Sequence, residues 1–169
     1  MQNAKDTFYT TLQARLAALN PTRMLVLRGI VRPGTLVDEN ELPTAAPPTD
    51  VFRLAWTGLQ LDPRANLSLL TLACTITYAT AGTVANAGMD RGRALAAMDS
   101  ELAQALASEP RSVLKQNYAE ANAATAPVAM STYLFWADPI FGAAEVASER
   151  LQRTCTVQVC AYQEAGELC

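Results

Sequence analysis

Two segments of the chain carry apolar residues at helical spacing. In residues 5–19 the intervals between apolar positions are four, four and three, and after Asp90 they are three, four and four. The positions are Phe8, Leu12, Leu16 and Leu19 in the first segment, and Leu95, Met98, Leu102 and Leu106 in the second. Prolines follow both segments and cannot continue a helical hydrogen-bond ladder. The sequence therefore predicts two amphipathic helices.

Other segments alternate apolar and polar residues with a period of two, which is typical of strands buried on one face. They are residues 24–31, 51–62, 67–80 and 151–161. The stretch LDPRAN at 61–66 carries turn residues, so the second and third strands are predicted to form an antiparallel hairpin. The aromatic stretch STYLFWADPIFG at 131–142 predicts a further strand or an anchoring loop.

Together these elements predict an α+β fold, in which a mostly antiparallel sheet packs against two main helices. A chain of 169 residues suits a single domain, 1–169, long enough to bury roughly 70% of its unfolded surface. Prolines and acids fill residues 33–50, and alanines and asparagines fill 109–130, so both are predicted as loop or arm excursions. Residues 164–169 are predicted to be a mobile C-terminal tail.

The amino-acid composition limits which catalytic and metal-binding sites the chain can form. The chain has no histidine, the commonest general base and a common metal ligand. It also lacks the phosphate-binding, dinucleotide-binding, nucleophile-elbow and zinc-protease motifs, and its four cysteines have no familiar zinc spacing. We therefore predict no catalytic, cofactor-binding or metal-binding residue, no cofactor, and reduced cysteines. A small metal-independent hydrolase with paired carboxylates or a cysteine-based site stays open as an alternative.

The net charge and the hydropathy of the chain limit the kinds of partner that it can bind. The net charge of −3 and pI of about 4.9 argue against a broadly basic surface for nucleic acid. No uninterrupted apolar stretch approaches the about 20 residues that span a bilayer, and the N-terminus lacks signal-peptide features. We expect cytosolic synthesis, no membrane partner and no specific nucleic-acid recognition.

Three arginines are candidate interface residues because of their charge and strand positions. Arg28 and Arg32 are predicted on the strand face opposite Leu25 and Leu27, and Arg53 lies in the second strand. They can contact an acidic partner surface, but solvated strand faces also carry such charges. The threonines of segment 67–80 leave the same two interpretations open, a solvated sheet surface or a surface that meets a neighbouring subunit.

The order of elements resembles the tail terminator proteins of long-tailed bacteriophages, the lambda gpU-like group. Four segments carry the resemblance, and they cover most of the chain. They are DTFYTTLQARLAAL, VFRLAWTGLQLDPRANLSLLTLACTITYAT, GMDRGRALAAMDSELAQAL and RTCTVQVCAYQE. These are packing patterns without a catalytic signature, so the resemblance carries over no catalytic residue.

The resemblance implies a structural virion protein rather than an enzyme, located at the neck and tail and assembled in the host cytoplasm. Such subunits form a homo-oligomeric ring, a hexamer, that caps the tail tube, stops its polymerisation and joins it to the head connector. The implied partners are other copies of the chain, the tail tube protein and a neck or head-connector protein, with DNA passing through the ring. A head-completion or other neck protein is the alternative from the same setting.

Overall fold

The computed structural model describes residues 1–40, 48–63, 67–121, 124–164 and 167. Within them, two α-helices and ten strands follow one another along the chain. In chain order they are α1 (Gln2–Leu19), β1 (Met24–Leu27), β2 (Ile30–Pro33), β3 (Thr35–Val37), β4 (Phe52–Asp62), β5 (Leu69–Thr80), α2 (Arg91–Ala107), β6 (Ser112–Asn117), β7 (Val128–Trp136), β8 (Ile140–Phe141), β9 (Glu145–Ala147) and β10 (Arg150–Tyr162).

Eight of the strands form one sheet, in the order β3-β4-β5-β10-β7-β6, with β8 and β9 also pairing with β10. All its pairings are antiparallel except that of β3 with β4. The longest partnership joins β5 to β10, from Leu69↔Tyr162 to Thr80↔Leu151. The predicted α+β fold and the predicted β4–β5 hairpin are confirmed.

One face of this sheet packs against both helices. Alternate residues of β4, β5 and β10 point to this face and join the apolar stripes of α1 and α2 in one buried cluster. Its largest fully buried side chains include Tyr78, Phe8, Phe52, Leu12 and Leu54. The period-two and helical patterns of the sequence therefore converge on the same core, as amphipathic elements require. The other face carries the intervening residues, among them threonines of β5 and β10.

The segment 24–31, predicted as one strand, is instead a hairpin of β1 and β2 that stands apart from the large sheet. Its two-residue turn is formed by Arg28 and Gly29, whose φ angles are 51° and 80°. Two-residue hairpin loops of type I′ need positive φ at both positions, and arginine rarely supplies it. Arg32 pairs with Leu25 and so shares its face, which corrects the prediction of opposite faces.

The predicted excursions also contain strands. Residues 33–50 include β3, and residues 109–130 include β6 and the start of β7, so neither is a loop throughout. Their alternation is weak because β3 is short and β6 lies at a sheet edge with a register shift after Leu114. Residues 41–47 and 122–123 of these segments lie outside the described residues.

The predicted mobile tail is described only at Glu164 and Glu167; residues 165–166 and 168–169 lie outside the described residues. Both glutamates are anchored, since Glu164 Oε1 accepts hydrogen bonds from the backbone of Ser131 and Thr132, and Glu167 pairs with Lys115. Burial alone would raise the pKa of Glu164, but these hydrogen bonds outweigh it and lower that pKa. No helix among the described residues has both the length and the apolar content needed to cross a bilayer.

Candidate assembly surfaces

One edge of the large sheet, strand β6, is covered by helix α1. The hydroxyl of Thr7, which is buried, accepts a hydrogen bond from the backbone N–H of Gln116 at 3.0 Å. Asn3 Oδ1 accepts one from the N–H of Tyr118 at 3.3 Å. Side chains of the helix thus satisfy backbone groups that would otherwise be unpaired at this edge.

A buried ion pair secures the same edge. Lys115 of β6 has no exposed surface, and its Nζ lies 2.5 Å from Glu167 Oε2 and 2.5 Å from the carbonyl oxygen of Tyr162. A buried ammonium group is tolerated only when it is paired and hydrogen-bonded. This pair joins β6 to the C-terminal segment that follows β10, and therefore closes the edge on a second side.

At the opposite edge of the sheet, the described residues leave part of β4 without a second neighbouring strand. Strand β3 pairs with β4 only at Phe52, Arg53 and Leu54, and the last backbone bond there runs from the N–H of Asp38 to the carbonyl of Leu54. Beyond it, residues 55–62 of β4 pair with β5 on one side, and no described strand pairs with them on the other. An unpaired edge of this length is a template for another strand.

A groove lies between Leu59 of β4 and residues of β6 and β7. Near the start of α1 it has a volume of about 830 Å³ and is lined by Met1, Lys5, Leu59 and Glu164 among others. It continues as a hollow of about 220 Å³ past Trp56 and Leu59. Leu59 pairs with Leu72 on the helix-facing side of the sheet, yet it is 55% exposed because α1 does not extend over it. The groove therefore exposes Leu59 beside the charged side chains of Lys5 and Glu164.

The β1–β2 hairpin exposes apolar residues on both faces. Val26 and Val31 pair with each other and are 65% and 61% exposed, while Ile30, on the other face, is 66% exposed. The hairpin begins at the hydrogen bond from the N–H of Gly34 to the carbonyl of Arg23. An isolated two-stranded hairpin is marginally stable in water. This hairpin therefore has much apolar surface left to cover.

Residue Arg23 holds the base of the hairpin. Its guanidinium group makes two 2.8 Å hydrogen bonds to Glu101 of α2, and Asn20 adds a third at 2.9 Å. Burial would raise the pKa of Glu101, but the hydrogen bonds from Arg23 and Asn20 outweigh it and lower that pKa. The hairpin thus starts from a fixed point on the helix layer.

The three predicted interface arginines are not brought together. Arg28 lies in the exposed turn of the hairpin, and Arg32 is half-buried on β2. Arg53 faces away from the helices and forms an ion pair with Asp38, with Nε and Oδ1 2.8 Å apart. It lines a hollow of about 370 Å³ on the outer face of the sheet. Whether any of them meets a partner stays a prediction.

The outer face of the sheet is uncovered by the described chain and divides into two parts. Threonines of β5 and β10 occupy one part, with Thr154 paired to Thr77 and Thr156 to Thr75. Aromatic side chains occupy the other, where the rings of Phe135 and Tyr162 lie 6.4 Å apart. The two interpretations of the threonine surface, solvated or meeting a neighbour, both remain predictions.

A rigid loop before α2 presents two apolar side chains to solvent. Val84 is 99% exposed and Met89 is 92% exposed. The carboxylate of Asp90 accepts hydrogen bonds from the backbone and hydroxyl of Thr83, both at 2.8 Å, and these bonds lower the pKa of Asp90 to about 2. Asp90 is the N-cap residue of α2, but its side chain makes no capping hydrogen bond and instead holds this loop.

The described residues bring together little that resembles a reaction centre. Tyr78 donates a hydrogen bond to Asp99, whose carboxylate also pairs with Arg153 at 3.1 Å. Burial, followed by this hydrogen bond, raises the pKa of Tyr78, and burial raises the pKa of Cys155 to about 12. Both groups are therefore neutral and unreactive at pH 7. Within the described ranges, no three metal-ligating side chains cluster.

Sequence reasoning missed the residues that now define the surfaces. Val26, Val31 and Leu59 were assigned to strands, but nothing in their alternation tells an edge from a sheet centre. Lys115 lies in the segment predicted as a loop or arm, because this lysine interrupts the apolar alternation of the Val-Leu-Lys-Gln stretch.

Comparison with known proteins adds a weak structural likeness. No protein-family model matches the chain, and no curated protein matches it. Among solved structures, a chain from "Virion of native gene transfer agent (GTA) particle" is 15% identical, with 92% of this chain and 91% of that chain covered, at a TM-score of 0.33. A likeness at this level assigns neither a family nor a function.

Proposed function

We propose that this chain is a structural virion subunit of the tail-terminator type. It forms a closed ring on the end of a tail tube, stops further polymerisation and presents a joint to the head connector. One observation carries the proposal: one edge of the sheet is covered by α1, whereas at the other edge no described strand pairs with residues 55–62 of β4 on their outer side. The resemblance of the packing patterns to phage tail terminators adds the virion setting.

The difference between the edges favours closed assembly. A long open edge with apolar neighbours invites uncontrolled pairing, and proteins that keep one usually give it a partner. Pairing between two different surfaces of identical subunits produces a ring when the rotation closes. In a ring every open edge is occupied, so the assembly ends itself, as a cap on a tube must.

Exposed apolar residues at both ends of the sheet give such a ring two axial faces. At the end where Thr80 pairs with Leu151, Val84, Met89 and Val146 are more than 80% exposed. At the other end, Val128 is 68% exposed and Leu59 lines the groove. We assign one end to the tube protein and the other to the connector. Both contacts bury apolar surface and need no catalytic group.

The test is to add the purified chain to polymerising tail-tube protein. We expect a ring-sized species by native mass spectrometry and shorter tubes, each with a cap at one end in electron micrographs. If the chain stays monomeric both alone and with tube protein, and tube lengths do not change, the proposal fails. Capture by portal proteins without binding to tube protein would instead identify a head-completion or other neck protein.

A further inference from the structure

We propose that the loop of residues 83–90 is a preformed plug. It inserts Val84 and Met89 into an apolar socket, rimmed by carboxylates, on the protein that stacks against this end of the subunit. The inference rests on the proposed function, because it names the chemistry of one of the two axial partners, the tube protein or the connector. It adds which residues make that contact and which charge the partner offers there.

The plug carries the two most exposed large apolar side chains among the described residues. Val84 is 99% exposed and Met89 is 92% exposed, and Val146 follows at 81%. Ala85 and Ala87, between them, are exposed as well. Scattered apolar residues are normal on a protein surface, but here they stand together on one short loop. Their burial against a partner is therefore favourable.

Hydrogen bonds to Asp90 hold the plug in one conformation. Its carboxylate accepts the N–H and the hydroxyl of Thr83, both at 2.8 Å, and the side-chain amide of Asn86 at 3.2 Å. The N–H of Gly88 donates to the carbonyl of Thr83 at 3.0 Å and closes the loop. A loop that is ordered before it binds loses little conformational entropy on binding.

Two arginines beside the plug lack a carboxylate partner within the described chain. Arg91 and Arg93 form no ion pair with any described residue, and the carboxylate of Asp90 is already occupied by the loop. The guanidinium group of Arg91 lies against Gly88, and Arg93 is exposed. Both arginines stand in the first turn of α2, where the helix dipole disfavours a cation. A carboxylate on the partner would offset that cost, so charge complementarity indicates an acidic rim.

A protein fits this surface better than a membrane does. Apolar side chains beside arginines also suit an anionic lipid surface. At the same end of the sheet, however, where β9 pairs with the start of β10, Glu145 and Glu149 are exposed. A uniformly anionic surface would repel both glutamates. A folded protein can place carboxylates opposite Arg93 and other groups opposite the glutamates.

The test measures how tightly the full chain binds purified tail-tube protein and purified connector protein of the same virus, by isothermal titration calorimetry. The plug variant is Val84→Ser with Met89→Ser. The matched control is Ile140→Ser, which removes an apolar side chain that is 73% exposed on β8. All three side chains are exposed, so both variants should keep the wild-type thermal unfolding midpoint.

We expect the plug variant to bind one of the two partners at least about 10-fold more weakly than the wild type, because two apolar side chains are no longer buried there. Its binding to the other partner and its ring formation should not change, since the plug lies at one end of the sheet. The control should bind both partners like the wild type. An unchanged affinity of the plug variant for both partners, or an equal loss in the control, would overturn the inference.

Arg93→Gln tests the charge of the socket. We expect about 3-fold weaker binding to the same partner at low salt and no difference in about 0.5 M NaCl, where surface charges are screened. The control is Ser100→Glu, which makes the same change in net charge at an exposed position further along α2 and should bind like the wild type. Wild-type or tighter binding by Arg93→Gln at low salt would contradict an acidic rim.

Other outcomes separate this inference from the proposed function. If the plug variant caps tubes and binds the connector as the wild type does, the inference is wrong and the proposed function stands. If the wild type forms no ring and binds neither protein, both are wrong. Vesicles of phosphatidylserine and phosphatidylcholine test the membrane. Wild-type binding to them that the plug variant loses would make a membrane the partner and overturn the inference.

Discussion

The two edges of the large sheet are treated in opposite ways. At β6, the hydroxyl of Thr7 and the amide of Asn3 satisfy backbone groups, and Lys115 is buried against Glu167. At β4, residues 55–62 have a strand on one side only among the described residues, and Leu59 is 55% exposed. The β6 edge is covered by other parts of the same chain. Residues 55–62 of β4 have the features of a surface that another molecule covers.

The largest expected effect comes from breaking the buried ion pair of the covered edge. Lys115→Met removes the close cation of the buried Glu167 carboxylate and leaves only the Met1 ammonium group, 4.0 Å away, so we expect the free energy of unfolding to fall by about 3 kcal/mol. Urea denaturation measures it. The matched control is Lys5→Met near the open edge, where the ion pair with Glu39 is partly exposed and worth about 1 kcal/mol or less. Equal losses of unfolding free energy in the two variants would contradict the difference between the two edges.

A smaller effect tests whether side chains of α1 satisfy backbone hydrogen-bonding groups of β6. Thr7→Val keeps the shape of the side chain but leaves the N–H of Gln116 without its acceptor, which should cost about 1–2 kcal/mol of unfolding free energy. The amide of Gln116 should also exchange faster with deuterium. Thr11→Val is the control, because its hydroxyl bonds only within the helix, to the carbonyl of Thr7. If both variants are equally stable, the hydrogen bond from the backbone of β6 to α1 does not stabilise this edge.

The comparison of edges also explains which features the sequence could predict. Helices α1 and α2 and strands β4, β5 and β10 have one face in the core, so burial imposes a regular period on their residues. Strand β6 escaped prediction because Lys115 interrupts its pattern, and its partner Glu167 lies 52 residues away. The sequence does not predict the β1–β2 hairpin, because its turn has Arg28 rather than asparagine at positive φ.

The candidate surfaces were harder to predict than the fold. Charge and strand position make Arg28, Arg32 and Arg53 interface candidates, but Arg53 already has Asp38 as its partner. The surface residues that the structure singles out are apolar, and a strand pattern shows the same alternation at an edge as at the centre. Which strand ends a sheet depends on the order of strands, and no local period encodes that order.

A third effect, of about 1 kcal/mol, tests how firmly the hairpin is held near the open edge. Glu101→Gln weakens the clamp on Arg23 and should lower the free energy of unfolding at pH 7 by that amount. The pKa of Glu101 is lowered in the fold, so its ionised form stabilises the protein above its ordinary value of 4.5, and this stabilisation is lost as the pH falls below it. The wild type and the variant should therefore converge in stability in acid. A difference that persists unchanged at low pH would show that the ion pair does not hold the hairpin.

If residues 55–62 of β4 have a neighbouring strand on only one side in the single chain and gain a second on assembly, amide hydrogen exchange will show the difference. In the monomer we expect rapid exchange at the backbone N–H groups of residues 55–62 that point away from β5, and slow exchange along β6. In the assembled ring, exchange at the β4 edge should slow at least about tenfold, while β6 changes little. Equal exchange at the β4 edge in monomer and ring would contradict the account.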